Sequence, residues 1–156
     1  MTKQISLHMV KQEERSSYLE YLLLADESEQ VVNTYINDGE MYAILYEENI
    51  AGVVLFTFHA DDVVELKNIA LASSSRGKGL GKLVVNEAFN IYKRRGMSKM
   101  IVGTANSSIG NLAFYQKAGF RMAEIKKDFF KKYPEPIFED GIRALDMVMF
   151  EKDLTK

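Results

Sequence analysis

Across residues 41–96 the hydrophobic period of the chain changes once, and the change falls on a glycine-rich loop. Before it, "MYAILYEENIAGVVLFTFHADDVVELKNIALA" is rich in β-branched and aromatic residues and is cut by the turn signals "EEN" and "ADD". Such runs predict three strands, 41–46, 50–59 and 63–72, and turns this short join neighbours into an antiparallel meander. After it, Leu80, Leu83, Val84, Ala88, Ile91 and Tyr92 recur at helical spacing, and a basic turn followed by Gly96 ends the run. Hairpins that feed straight into a long amphipathic helix rule out an all-α or all-β chain.

The flanks extend the pattern. "ISLHMV" reads as a short strand, and residues 13–26 place Tyr18, Leu19, Leu22 and Leu23 on one helical face. A second helix, "ESEQVVNTYIND", ends near Gly39, a natural left-handed stop. Downstream come a buried strand, "SKMIVGTA", and a short helix, "SSIGNLAFYQKAGF", with serine at its start and Gly119 at its end. Two more strands close the chain around "KKYPEPIFEDG", where prolines interrupt pairing and Asp140-Gly141 supplies a turn. The order β-α-α-β-β-β-α-β-α-β-β predicts an α+β fold with a mixed, mostly antiparallel sheet flanked by helices. No repeat or linker divides the chain, so residues 1–156 are expected to form one domain.

Composition removes several chemistries. The chain has no cysteine and only His8 and His59, which sets aside thiolate zinc sites, a cysteine nucleophile and, by expectation, any metal. With 20 basic and 22 acidic side chains the net charge is −2, so no broad nucleic-acid footprint is expected. The opening residues lack a signal-peptide pattern and no segment approaches a membrane span of about 20 apolar residues. A cytoplasmic protein without a membrane partner is the expectation.

The glycine loop, "SSSRGKGLGKLVV", offers unhindered backbone N–H groups and the positive end of a helix dipole, a device that suits phosphate. It does not fit the P-loop, because Gly81-Lys82 is followed by Leu83 in place of the magnesium-binding hydroxyl. It does not fit the dinucleotide fingerprint either, because its glycines fall at 77, 79 and 81 after hairpins rather than inside a βαβ unit.

What the loop does match is Arg/Gln-x-x-Gly-x-Gly/Ala: Arg76, Gly79 and Gly81 stand at the three defining positions, after "NIALA" and before the long helix. Downstream, "FYQKAGF" is similar to a Tyr-x-x-x-Gly-Phe ending. On these motifs, over residues 63–120, the chain resembles the GNAT superfamily of acyl-CoA-dependent N-acyltransferases. The resemblance implies acetyl-CoA as co-substrate, its pyrophosphate held by Arg76, Gly77, Lys78, Gly79, Leu80, Gly81 and Lys82, and its pantetheine arm paired with Ile69, Ala70 and Leu71. A β-carbon at 79 or 81 would then push the phosphate away from the amides.

The resemblance also assigns the chemistry. Glu65, eleven residues before Arg76, matches the position of a general-base glutamate. Tyr115 matches the tyrosine that serves as general acid to the CoA sulfur, with Phe114 expected in the core and Tyr115 facing the cofactor. Family members often carry asparagine seven residues before that tyrosine. Here Ser108 stands there, which leaves Asn106 or Asn111 as the cofactor-contacting amide. No role is assigned to His8 or His59.

Acceptor choice falls to the first two helices and to residues 128–141, with Tyr133 and Glu139 as candidate contacts for a cationic primary amine. A non-catalytic acyl-CoA-binding sensor is the alternative, and the presence of both Glu65 and Tyr115 beside the loop argues for the enzyme. The apolar terminal stretch "IRALDMVMFEKDL" leaves a homodimer through a terminal strand open.

Overall fold

Turn chemistry sets the first half of the sheet. Strands β1 (Ile5–Met9), β2 (Glu40–Tyr46), β3 (Asn49–His59) and β4 (Val63–Leu71) pair antiparallel in chain order. Glu47 and Glu48 join β2 to β3 at positive φ (51° and 67°), the two-residue geometry whose twist suits a hairpin. The computed structural model describes residues 4–60 and 62–156. The first three residues of the opening segment and Asp61 of the "ADD" turn lie outside the described residues.

The second half reverses direction once. β5 (Lys99–Ala105) runs parallel to β4, while β6 (Arg121–Lys126), the small hairpin β7 (Phe138–Glu139) with β8 (Ile142–Arg143), and β9 (Met147–Asp153) follow. The resulting seven-stranded order is β1-β2-β3-β4-β5-β9-β6. β9 lies between β5 and β6 and is bonded along both edges, so it has no free edge for strand pairing. The edge strand on this side is β6, exposed throughout and carrying Arg121, Glu124 and Lys126, charges that discourage edge pairing.

Helices cover both faces. On one, α1 (Leu19–Ala25) and α2 (Glu29–Tyr35) bring Leu22, Val32 and Tyr35 onto Met41, Ala43, Val53 and Leu55. On the other, α3 (Leu80–Arg94) and α4 (Ile109–Lys117) bring Leu80, Val84, Ala88, Tyr92 and Tyr115 onto Ile44, Val54, Phe56 and Leu66. Burial on both faces explains the unbroken apolar run in β3: Val53, Val54, Leu55 and Phe56 are all fully buried, each side chain stabilising the fold by about 1.5–3 kcal/mol.

Two local departures from the sequence expectation matter for the site. The helix expected over 13–26 divides into a 3-10 turn, Gln12–Tyr18, and α1. Arg15 causes the break: it is buried, and its guanidinium donates to the carbonyls of Ile36, Asp38 and Gly39, pinning the turn against the end of α2. In β4 the pairing jumps from Leu55↔Asn68 to Phe56↔Leu66, which leaves Lys67 as an extra residue. Strict alternation would put Asn68 on the α3 side with Leu66, but the bulge turns it towards α1 and α2. There its Nδ2 donates to the Leu22 carbonyl and to the Tyr35 hydroxyl, both at 3.0 Å.

Candidate active site

β4 and β5 are paired only at Val63↔Lys99, Val64↔Met100 and Glu65↔Ile101. Beyond that point they part, and a cleft of about 770 Å³ opens between residues 66–71 on one wall and 102–105 on the other. One edge of β4 is therefore left with unpaired backbone groups facing a cavity, an arrangement that costs stability unless something extended pairs with it.

At one end the cleft meets the glycine loop. Gly77 and Gly79 have φ of 76° and 75°, a region L-residues enter at a cost, and Gly79 is the left-handed residue immediately before α3. No side chain among the described residues caps α3, so the N–H groups of its first turn and its dipole point out of the helix end. Arg76 Nε donates to the Leu71 carbonyl at 3.1 Å and folds the loop back over the end of β4. At Gly81 the nearest constraint is protein: an added Cβ would lie 3.2 Å from the Phe114 ring, so glycine there first serves the packing of α3 against α4.

Of the expected cofactor residues, Ile69, Ala70, Leu71, Arg76, Gly77, Gly79, Leu80, Gly81, Lys82 and Asn111 line the cleft. Two others do not. Lys78 lies towards the end of β2, its Nζ 5.6 Å from the centre of the Tyr46 ring. Asn106 is fully used as a brace: Nδ2 donates to the Arg143 carbonyl, and Oδ1 accepts from the N–H groups of Leu145 and Asp146. Asn111 is thus the amide at the cleft, with Nδ2 3.3 Å from Thr104 Oγ1. Ser108 also reaches it, but its hydroxyl donates to Glu139 at 2.7 Å and does not cap α4.

The packing roles of Phe114 and Tyr115 are the reverse of those expected. Tyr115 is 6% exposed and its ring meets Phe120 and Phe150, whereas Phe114 is only partly buried, against Gly81. Tyr115 still lines the cleft, and its hydroxyl has no hydrogen-bond partner among the described residues. Burial pushes its pKa well above the usual tyrosine range, so the phenol is protonated at neutral pH.

Glu65 lines the same cleft where β4 and β5 begin to part, and it is not alone. His59 Nε2 stands 2.6 Å from Glu65 Oε1, and Lys67 Nζ 3.9 Å from Oε2. The β3–β4 hairpin brings His59 to Glu65, a pairing of residues six apart that strand-end position alone does not reveal. Glu65, Lys67, Thr34 and Tyr35 also line a second cavity of about 520 Å³ that includes His59, so this group divides the cleft from a depression on the far side.

At its other end the cleft is closed by α1, α2 and residues 129–133. Asp26 is the hub: Oδ2 accepts from the Tyr35 hydroxyl at 3.1 Å, and Oδ1 from the Tyr133 hydroxyl at 3.2 Å. Burial, reinforced by the Asp26 charge, raises the pKa of both tyrosines above the usual range. Tyr133 is therefore at the cleft as expected, while Asp26, Tyr35 and Lys67 were not singled out from the sequence. Glu139 lines the wall, but Oε1 accepts from both Ser107 and Ser108.

A splayed β4–β5 pair beside an uncapped, glycine-led helix is the arrangement of an acyl-CoA-dependent transferase, and the comparisons agree. The family model described as "Acetyltransferase (GNAT) family" matches residues 7–120, and the chain belongs to that family of enzymes. It is similar to the uncharacterized N-acetyltransferase YvbK of Bacillus subtilis, at 40% identity over 92% of this chain and 93% of that one. Among solved structures it is similar to a GNAT family acetyltransferase from Elizabethkingia anophelis with acetyl-CoA bound. That likeness has a TM-score of 0.88 and 36% identity, over 96% of this chain and 97% of the other. A Bacillus subtilis acetyltransferase in complex with CoA matches with a TM-score of 0.85 and 38% identity, over 97% and 99% of the two chains.

Proposed function

We propose that this chain transfers the acetyl group of acetyl-CoA to a primary amine by direct attack. The observation that carries the reading is the unpaired edge of β4 running into the open N-terminus of α3: one accepts an extended amide-bearing arm, the other a pyrophosphate. The loop residues 76, 77 and 79–82, the β4 edge at 69–71 and Asn111 form the cofactor end.

Glu65 takes the proton of the incoming ammonium, and His59, half open to solvent, passes it outward. The neutral nitrogen then attacks the thioester carbonyl, forming a C–N bond. A backbone N–H of Ala70 or Leu71 on the unpaired edge is the donor for the oxyanion. As the C–S bond breaks, the Tyr115 hydroxyl gives its proton to the thiolate, and the second proton shed by the nitrogen on becoming an amide passes to water, which restores the phenol. Its burial suits an acid that stays protonated until that moment.

The test combines calorimetry of acetyl-CoA binding with thiol release across a panel of amines. Binding together with amine-dependent thiol release is expected. Binding without release for every amine would make the chain a sensor of acyl-CoA, and absence of binding would remove the reading altogether.

A further inference from the structure

The acceptor end of the cleft holds charges of both signs, and they differ in what they have left to give. Three of the four carboxylates that line it are engaged: Asp26 accepts from two tyrosine hydroxyls, Glu65 is paired with His59 and Lys67, and Glu139 accepts from two serines, while the fourth, Glu27, is exposed. The ammonium groups are not saturated. Lys132 Nζ lies 3.9 Å from the centre of the Phe129 ring and forms no ion pair among the described residues, Asp26 acting on it only at longer range. Lys67 lies 5.2 Å from the centre of the Tyr35 ring, with Glu65 at the outer limit of an ion pair.

Both lysines line the cleft, and partial burial followed by repulsion from Lys67 holds the Lys132 pKa below its ordinary value. A polyamine entering here would add positive charge beside the Lys132 ammonium, which forms no ion pair among the described residues, and beside Lys67, which shares Glu65 with His59. A molecule with an anion would relieve their repulsion, since each ammonium offers three donors and a fixed charge. The cleft wall also carries apolar and aromatic side chains: Leu24, Val31, Phe129 and Phe130.

We propose that the acceptor is an amino-acid-like molecule with an apolar body and a carboxylate, and that Lys132 and Lys67 receive the carboxylate while the amine points towards Glu65. The inference rests on the acetyltransferase reading above and names its substrate class. It replaces the cationic amine expected from the acidic and aromatic composition of residues 128–141.

The experiment uses matched pairs that differ only in the carboxylate: phenylalanine with phenylethylamine, leucine with isopentylamine, lysine with cadaverine, and spermidine as a polyamine control. Thiol release from acetyl-CoA is followed for each. The carboxylated member of the apolar pairs should have a kcat/KM about tenfold or more above its partner, the size expected of charge-assisted hydrogen bonds. In Lys132→Met that ratio should fall towards one with the KM for acetyl-CoA unchanged, and Lys132→Arg should restore it.

Turnover confined to spermidine and the decarboxylated amines overturns the inference. So does a ratio that Lys132→Met leaves intact, or the absence of thiol release from every carboxylated member. Loss of acetyl-CoA binding or of all turnover instead defeats the underlying reading, which separates the two failures.

Discussion

Under the proposed function, the two ends of the cleft recognise their ligands by different means. The cofactor end is made of backbone: an unpaired strand edge, two glycines at positive φ and an uncapped helix start, all within residues 66–82. The acceptor end is made of side chains gathered from α1, α2, β4 and the 3-10 turn Phe129–Lys132 with its neighbour Tyr133. Backbone recognition tolerates most side-chain change but needs glycine at fixed places. Side-chain recognition can be retuned one residue at a time, which lets one fold keep its donor and change its acceptor.

Variants should break this contrast in a graded way. The largest effects belong where the two ends meet. Tyr115→Phe should lower kcat by about a hundredfold, as for loss of a general acid, with little change in acetyl-CoA affinity by calorimetry. Glu65→Gln should lower kcat/KM for the amine by a similar factor of about a hundred and flatten the acid limb of the pH profile; an unaltered profile would remove Glu65 from the mechanism.

At the cofactor end, Gly79→Val should weaken acetyl-CoA binding by about tenfold or more, because it places a β-carbon and left-handed strain beside the helix N-terminus. An added Cβ at Gly79 meets no protein atom within 4 Å, so the loss of fold stability should be the smaller effect. Gly79→Asn, which tolerates the left-handed region, separates strain from obstruction.

At the acceptor end, Tyr133→Phe should raise the KM of the amine by about threefold to tenfold, the size of one modest hydrogen bond, and leave acetyl-CoA binding as it was. A change at both ends would mean that the ends are not independent.

The smallest effect lies outside the cleft. Glu40 Oε1 accepts from Tyr92 at 2.8 Å and from Arg95 at 2.7 Å, tying the end of α3 to β2. Burial alone would raise its pKa, but the hydrogen bonds from Arg95 and Tyr92 outweigh burial and hold it below the usual carboxylate value. A depressed folded-state pKa gives stability that is present above the unfolded value of about 4.3 and is lost as pH falls through the lower folded value. Glu40→Gln should therefore cost about 1 kcal/mol at pH 7 by chemical denaturation, with the difference from the parent shrinking below about pH 4. Kinetic constants at neutral pH should not change.

Legibility followed the same division. The three hairpin strands, the α3 face and the glycine loop are set by local period and local glycine chemistry, and they stand where residues 41–96 predicted them. Val85, fully buried, was the one deeply packed position of α3 outside the predicted face. The small β7–β8 hairpin was announced only by its Asp140-Gly141 turn, where both residues have positive φ. What could not be read were contacts between residues distant in the chain: Tyr133 with Asp26, Arg15 with the end of α2, and Asn106 with residues 143–146. The inverted roles of Phe114 and Tyr115 belong here too, because neighbouring aromatic residues look alike until the partner surface of the helix is known.

The sequence by itself determined the donor, since pyrophosphate recognition needs only a short run of backbone in one conformation, and glycine spacing encodes that conformation directly. The tertiary structure decided the rest. The bulge at Lys67 turned Asn68 towards α1 and α2, the parting of β4 from β5 opened the cleft, and Asp26, Tyr35 and Tyr133 met inside it. Those arrangements depend on which surfaces pack together, and side-chain chemistry placed by packing leaves no local pattern along the chain.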